Sequence, residues 1–260
     1  MKLELEGKKV LITGASQGIG AMIAEVFAEE GSELCLVARN QAKLEELAQD
    51  LRERYRVQIH VHVADLTEHG AVDALAKAYS DTEILINNAG AIPGGDLWQI
   101  DEVRWRAGWE LKVFGYINMT RAFYTLMKQA GKGVIINNIG SGGENLDFNY
   151  VAGCTGNAAL MAFTKTIGGR SLHDGIRVMG VNPGPVATER IEKIMRARAQ
   201  TQFGSEDQVD RIVERFPLKR PALPREVADM ICFLASDRSG YTSGSIVTID
   251  GGMASAGSIT

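Results

Sequence analysis

The run Thr13-Gly14-Ala15-Ser16-Gln17-Gly18-Ile19-Gly20 has the residue types needed to hold a pyrophosphate. Gly14 permits a tight turn, Gly18 lets the backbone approach a phosphate, and Gly20 allows a helix to pack closely on a strand. The helix N-terminus that follows faces the anion with unpaired amides. A second chemical group is a lysine in an unusual place. Trp105, Trp109, Lys112, Tyr116, Met119 and Phe123 recur at 4-3-4-3-4 spacing, an apolar helical stripe broken only by Lys112. Lysine is almost never buried without a partner, so Lys112 either snorkels to water or works in a site. His60 and His62 fall on one face of a short strand, but no third ligand lies near, so a structural role at a sheet edge is expected and no metal.

These groups need elements to position them. Short β-branched runs at 8–13, 33–38, 57–63, 83–87, 133–139, 177–182 and 245–249 alternate with helical periodicities at 19–27, 41–54, 100–130, after Tyr150, and at 226–235. Parallel strands with right-handed crossovers satisfy this βαβ rhythm, which predicts an α/β fold: a doubly wound parallel β-sheet of about seven strands, Rossmann-type, with helices on both faces. No linker or repeat divides the chain, so residues 1–260 are expected to form one dinucleotide-binding and catalytic domain. Segment 189–216 is polar and breaks the rhythm. It follows the sixth strand, where insertions border the ligand crevice, so it is either a substrate lid or a solvated helical pair.

Composition excludes several classes. The 260 residues carry 28 basic and 32 acidic side chains, a formal charge of −4, which gives no general attraction to nucleic acid or acidic membranes. No stretch approaches the roughly 18 to 20 apolar residues of a membrane span. The start, Met1-Lys2-Leu3-Glu4-Leu5-Glu6, does not read as a signal peptide. Cys35, Cys154 and Cys232 lie far apart, which indicates neither a disulfide frame nor a zinc knuckle. A cytoplasmic protein of a reducing compartment is expected.

The spacing GxxxGxG at 14–20, Asp65 after the third strand, Asn87-Asn88-Ala89-Gly90 after the fourth, Asn182-Pro183-Gly184 after the sixth and the closing Ile249-Asp250-Gly251-Gly252 together resemble the short-chain dehydrogenase/reductase family. The resemblance covers about Gly7 to Gly252. It implies a nicotinamide cofactor and carbonyl/alcohol redox chemistry in a homotetramer. Asp65 and Leu66 would then lie at the adenine, Asn87, Ala89 and Gly90 along the cofactor, and Pro183, Gly184, Val186 and Thr188 around the carboxamide. Ser16 and Ile19 join the glycine turn in the same set. The long 100–130 helix and the one after Tyr150 look apolar all round, as subunit contacts would require.

The family's chemistry, so implied, uses a serine, a tyrosine, a lysine four residues after the tyrosine, and an asparagine on the long preceding helix. Ser141 resembles the serine and Tyr150 the tyrosine, nine residues apart where the family has a few more. Counting four from Tyr150 reaches Cys154, and a thiol cannot replace an ammonium. Aligning Gly115 with the family helix puts Lys112 where the asparagine is usual. We expect Lys112 to supply the missing cation, Ser141 to orient a carbonyl oxygen and Tyr150 to transfer the proton. The second strand ends Leu36-Val37-Ala38-Arg39, with no acid to repel a 2′-phosphate, so NADP(H) is expected over NAD(H). The competing reading is a catalytically silent dinucleotide-binding sensor or scaffold. An epimerase or dehydratase of the extended fold is disfavoured by the glycine spacing and the length.

Overall fold

The computed structural model describes residues 2–256. Its elements run β1 (Lys9–Thr13), α1 (Gly18–Glu29), β2 (Glu33–Ala38), α2 (Gln41–Tyr55), β3 (Ile59–Val63), α3 (Ala71–Ala78), β4 (Ile84–Asn87) and α4 (Glu102–Trp109). They continue with α5 (Gly115–Ala130), β5 (Gly133–Asn138), α6 (Val151–Ser171), β6 (Ile176–Pro183), α7 (Glu189–Phe203), α8 (Asp210–Val213), α9 (Pro224–Ala235) and β7 (Ile246–Ile249). All seven strands are parallel, in the order β3-β2-β1-β4-β5-β6-β7. This is the doubly wound, Rossmann-type sheet expected from the alternation. The order reverses between β1 and β4, and a ligand crevice belongs outside the carboxyl ends of the strands there.

The central strands β4 and β6 are buried along their whole length, because helices cover both faces. One core packs Ile23, Phe27, Leu44 and Ile231 on one face, and another packs Leu75, Phe123 and Met127 on the other. Each such side chain contributes about 1.5–3 kcal/mol when fully buried. Beneath the crevice a polar ladder crosses the sheet. Asn87 Nδ2 donates to Asn137 Oδ1 at 2.9 Å and Thr120 Oγ1 at 3.2 Å, and Asn137 Nδ2 donates to Thr164 Oγ1 at 2.9 Å. It fixes β4, β5, α5 and α6 to one another, so the groups at their ends hold a common geometry.

Three details differ from or refine the reading of the sequence. The third strand starts at Ile59, and its His60 and His62 stack near Tyr79 with ring centroids 6.2 and 5.6 Å away. No cluster of three metal-ligating side chains occurs among the described residues. The 100–130 helix is interrupted by a π-helical turn, Glu110–Phe114, between α4 and α5. Segment 189–216 folds as α7, a 3-10 turn and α8 around a small apolar cluster of its own, Met195, Ala199 and Ile212 against Phe203 and Phe216. No helix among the described residues is long and apolar enough to cross a membrane.

Candidate active site

The glycine turn fits a pyrophosphate. Gly14 has φ +66°, and a Cβ there would stand 2.8 Å from Ala89 Cα; one on Gly20 would overlap the Gly14 carbonyl oxygen. Both positions therefore exclude side chains. Gln17 opens α1 without capping it, so the first amides of the helix face the crevice unpaired by any side chain. Thr13 Oγ1 accepts from Asn88 N and Ala89 N at 2.9 and 3.1 Å, and Asn88 Nδ2 donates to Thr13 O and Gly14 O at 3.0 and 3.1 Å. The Asn87–Gly90 run thus braces the turn as well as bordering it. Ser16 and Ile19 lie in this turn, and Thr188 Cγ2 would be 3.3 Å from a Cβ on Gly18. Pro183 ends β6, Gly184 N bonds Ile249 O at 2.9 Å, and Val186 is buried, so these residues form the opposite wall.

Beyond the carboxyl end of β3, Asp65 accepts from Thr67 N and Thr67 Oγ1 at 3.0 and 2.7 Å, which holds its carboxyl below the usual range, with Arg39 adding to the effect. Arg39 Nη1 lies 3.5 Å from Asp65 Oδ2 and is largely exposed. Leu66, beside Asp65, is partly buried against the second core. The sequence reading missed Lys43. Its Nζ donates to Gln17 Oε1 at 2.9 Å, which brings a second cation from α2 to the glycine turn. The available signal was its place in the first turn of α2, where Asn40 Oδ1 caps the Lys43 amide at 3.0 Å.

At the other end of the crevice, Ser141 opens a 3-10 turn, Ser141–Gly143, straight after β5 and is 8% exposed. Lys112 sits in the middle of the π turn, where the extra residue per turn re-aims its side chain relative to a continuous helix. Its stem runs across Gly90, so that a Cβ there would be 2.7 Å from Lys112 Cδ. Its Nζ donates to Ile139 O at 2.5 Å and lies 3.5 Å from Asn138 O, two and three residues before Ser141. No carboxylate pairs with it among the described residues. Burial pushes the ammonium down to about 7, and repulsion from Arg190 adds to that. Arg190 itself donates to Ile92 O at 3.0 Å, and Arg198 of α7 pairs with Asp147 at 2.6 Å, so α7 is tied to two loops that rim the crevice.

Tyr150 immediately precedes α6, and its ring folds over the helix's first turn. Cys154, four positions after Tyr150, turns to Asp147. Its thiol accepts from Asp147 N at 3.3 Å and lies 3.7 Å from Asp147 O, serving the loop before the helix. The structure therefore brings Ser141 and Lys112 to one stretch of backbone, with Tyr150 against Gly142 of the same turn, and leaves Cys154 outside.

Comparison with known proteins agrees with this architecture. The family described as Enoyl-(Acyl carrier protein) reductase matches residues 14–254. The oxidoreductase UcpA of Salmonella typhimurium is 34% identical over 255 residues, covering 96% of this chain and 95% of that one. The 3-oxoacyl-[acyl-carrier-protein] reductase FabG of Thermotoga maritima is 31% identical over 258 residues, covering 96% and 99%. Among solved structures, L-sorbose reductase from Gluconobacter frateurii, complexed with NADPH and L-sorbose, superposes with a TM-score of 0.90 at 33% identity, covering 97% of this chain and 98% of that one. An NAD+-bound xylitol dehydrogenase gives 0.89 at 25% identity, covering 96% and 100%. This chain belongs to the short-chain dehydrogenase/reductase family and is an oxidoreductase that uses a nucleotide cofactor.

Proposed function

We propose that the protein interconverts a carbonyl compound and a secondary alcohol, using NADP(H) in preference to NAD(H). The observation that carries this reading is Lys112, a desolvated ammonium without a carboxylate, held on the backbone just ahead of Ser141. A nicotinamide cofactor held by the glycine turn and the Asn87–Gly90 run would supply or accept the hydride. Ser141 Oγ donates a hydrogen bond to the substrate oxygen and fixes the face it presents. Tyr150 passes its hydroxyl proton to the forming alkoxide, and Lys112 stabilises the phenolate left behind. A free phenol ionises at about 10, so a shuttle near neutral pH needs about 3–4 kcal/mol of anion stabilisation. One cation at about 4 Å under an effective dielectric near 20 contributes about 4 kcal/mol.

The silent sensor or scaffold has less support, because a merely structural dinucleotide site has no use for an uncompensated ammonium. Turnover of NADPH against a panel of ketoses, 3-oxoacyl thioesters and simple ketones separates the two. We expect oxidation of NADPH with at least one class, and a loss of about 100-fold in kcat for Ser141→Ala. NADPH binding with no turnover across the panel would sink the enzymatic reading. Segment 189–216 then acts as the lid: α7 reaches Ile92 and Asp147 and can close over substrate at those two loops.

The same reading includes a homotetramer in the cytoplasm. The outer faces of α5 and α6 leave a groove lined by Ile117, Tyr124, Phe163 and Ile167, and Tyr241, before the edge strand β7, is almost wholly exposed. A second copy buries both. Sedimentation at micromolar concentration is expected to give a tetramer, and a monomer there refutes the assembly.

A further inference from the structure

Tyr150 lies outside α6, with φ −140° and ψ 38°, and its ring is carried forward over the helix. A Cβ on Gly153 would fall inside that ring. The phenol therefore occupies the volume that a side chain at 153 would fill, and only glycine leaves it free. Residue 157 is four positions further on, on the same helical face. Asn157 is 3% exposed, and its Oδ1 has no hydrogen-bond partner among the described residues. A Cβ on Gly142 would stand 3.3 Å from Asn157 Nδ2 and 3.5 Å from Tyr150 Cδ1, so the carboxamide and the ring converge on the turn that carries Ser141. A buried carboxamide oxygen left without a donor is costly, so the site calls for a partner.

We propose that Gly153 and Asn157 form the seat of Tyr150: Gly153 admits the ring, and Asn157 is the positioning residue for its hydroxyl, which it reaches through one water. A carboxamide suits both protonation states. Through that water Oδ1 accepts when the phenol is intact, and after rotation Nδ2 donates when the phenolate forms. Lys112 reaches the same region from the other side, at Ile139 O. Charge then comes from α5's side of the site and orientation from α6. This inference rests on Tyr150 being the proton donor.

The test is a double-mutant cycle on the full-length enzyme, with kcat, KM, the pH profile of kcat and the NADPH dissociation constant for each variant. Asn157→Leu is expected to lower kcat about 30-fold, leave the NADPH constant within about threefold, and move the profile to higher pH. In a Tyr150→Phe background it is expected to cost less than about twofold, because it acts through the hydroxyl already removed. Asn157→Ser covers the case in which leucine prevents folding, and is expected to retain more activity than leucine through a bridging water. Gly153→Ala is expected to expel the ring and approach Tyr150→Phe in kcat. Full activity in Tyr150→Phe overturns the role of Tyr150, and this proposal with it. If Tyr150→Phe collapses while Asn157→Leu keeps parental kcat, or multiplies the loss in the double variant, only the seat is wrong.

Discussion

Lys112→Met is expected to bind NADPH within about threefold of the parent affinity and to lose about 1000-fold in kcat, close to the 4 kcal/mol that one nearby cation contributes. Methionine keeps the stem that packs over Gly90 and removes only the charge and the bond to Ile139 O. A lysine returned at 157, beside the Tyr150 ring, is expected to restore part of the turnover. One returned at 154 is expected to restore none, because that side chain turns to Asp147. The pH profile gives a second readout. The free enzyme's ammonium is charged below about 7, so kcat/KM of the parent should fall as pH rises through that value, and the fall should be absent from the residual activity of Lys112→Met. Parental turnover in Lys112→Met across pH would falsify the role of the ammonium.

The same group makes stability depend on pH with a definite sign. The folded-state value, about 7, lies below the ordinary 10.5, so between them the unfolded chain holds a proton that the folded chain has released. Stability due to this group is therefore fully present above 10.5 and is lost as pH falls through 7. Lys112→Met removes the penalty. It should melt at a higher temperature than the parent at pH 6, and match or fall slightly below it at pH 10.

Much of this was legible in the sequence, because the strong signals are local. β-branched runs separated by helical periodicities specify parallel strands, and the glycine turn needs only the strand before it and the helix after it. The π turn was not legible. A stripe at 4-3-4-3-4 spacing fits an α-helix without interruption, and one inserted residue changes where Lys112 aims without changing which residues are apolar. The register of the tyrosine was hidden for a similar reason. Counting four from Tyr150 assumes the tyrosine sits in the helix, whereas it precedes α6 and lays its ring over Gly153. The helical face it shares is thus the one of 153 and 157, and Cys154 points elsewhere. A contact made by folding back over a glycine leaves no periodic trace, though the bare Gly153 one turn before Asn157 marks the space.

Arg39→Ala with Lys43→Ala is expected to weaken NADPH about 1000-fold and leave NADH within about threefold, reversing the preference. The phosphate that distinguishes the two cofactors carries close to two negative charges, and a hydrogen bond between charged groups contributes about 1.5–3 kcal/mol. Two such partners reach about 4 kcal/mol, which is the thousand-fold. Arg39 follows β2 directly, and Lys43 stands in the first turn of α2 against Gln17 of the glycine turn, so the pair would flank the ribose of a dinucleotide held by that turn. Asp65 works against them. Its carboxylate is held ionised by the two bonds from Thr67, and once Arg39 is gone it faces the phosphate uncompensated. The single Arg39→Ala variant should therefore lose more than Lys43→Ala. Both cations are exposed, so the effect should shrink as salt shortens the Debye length from about 10 Å at 0.1 M to 3 Å at 1 M. Fluorescence titration of both reduced cofactors at two ionic strengths decides the matter: a parent that binds NADH more tightly, or an Arg39→Ala variant with parental NADPH affinity, removes the basis for NADP(H) preference.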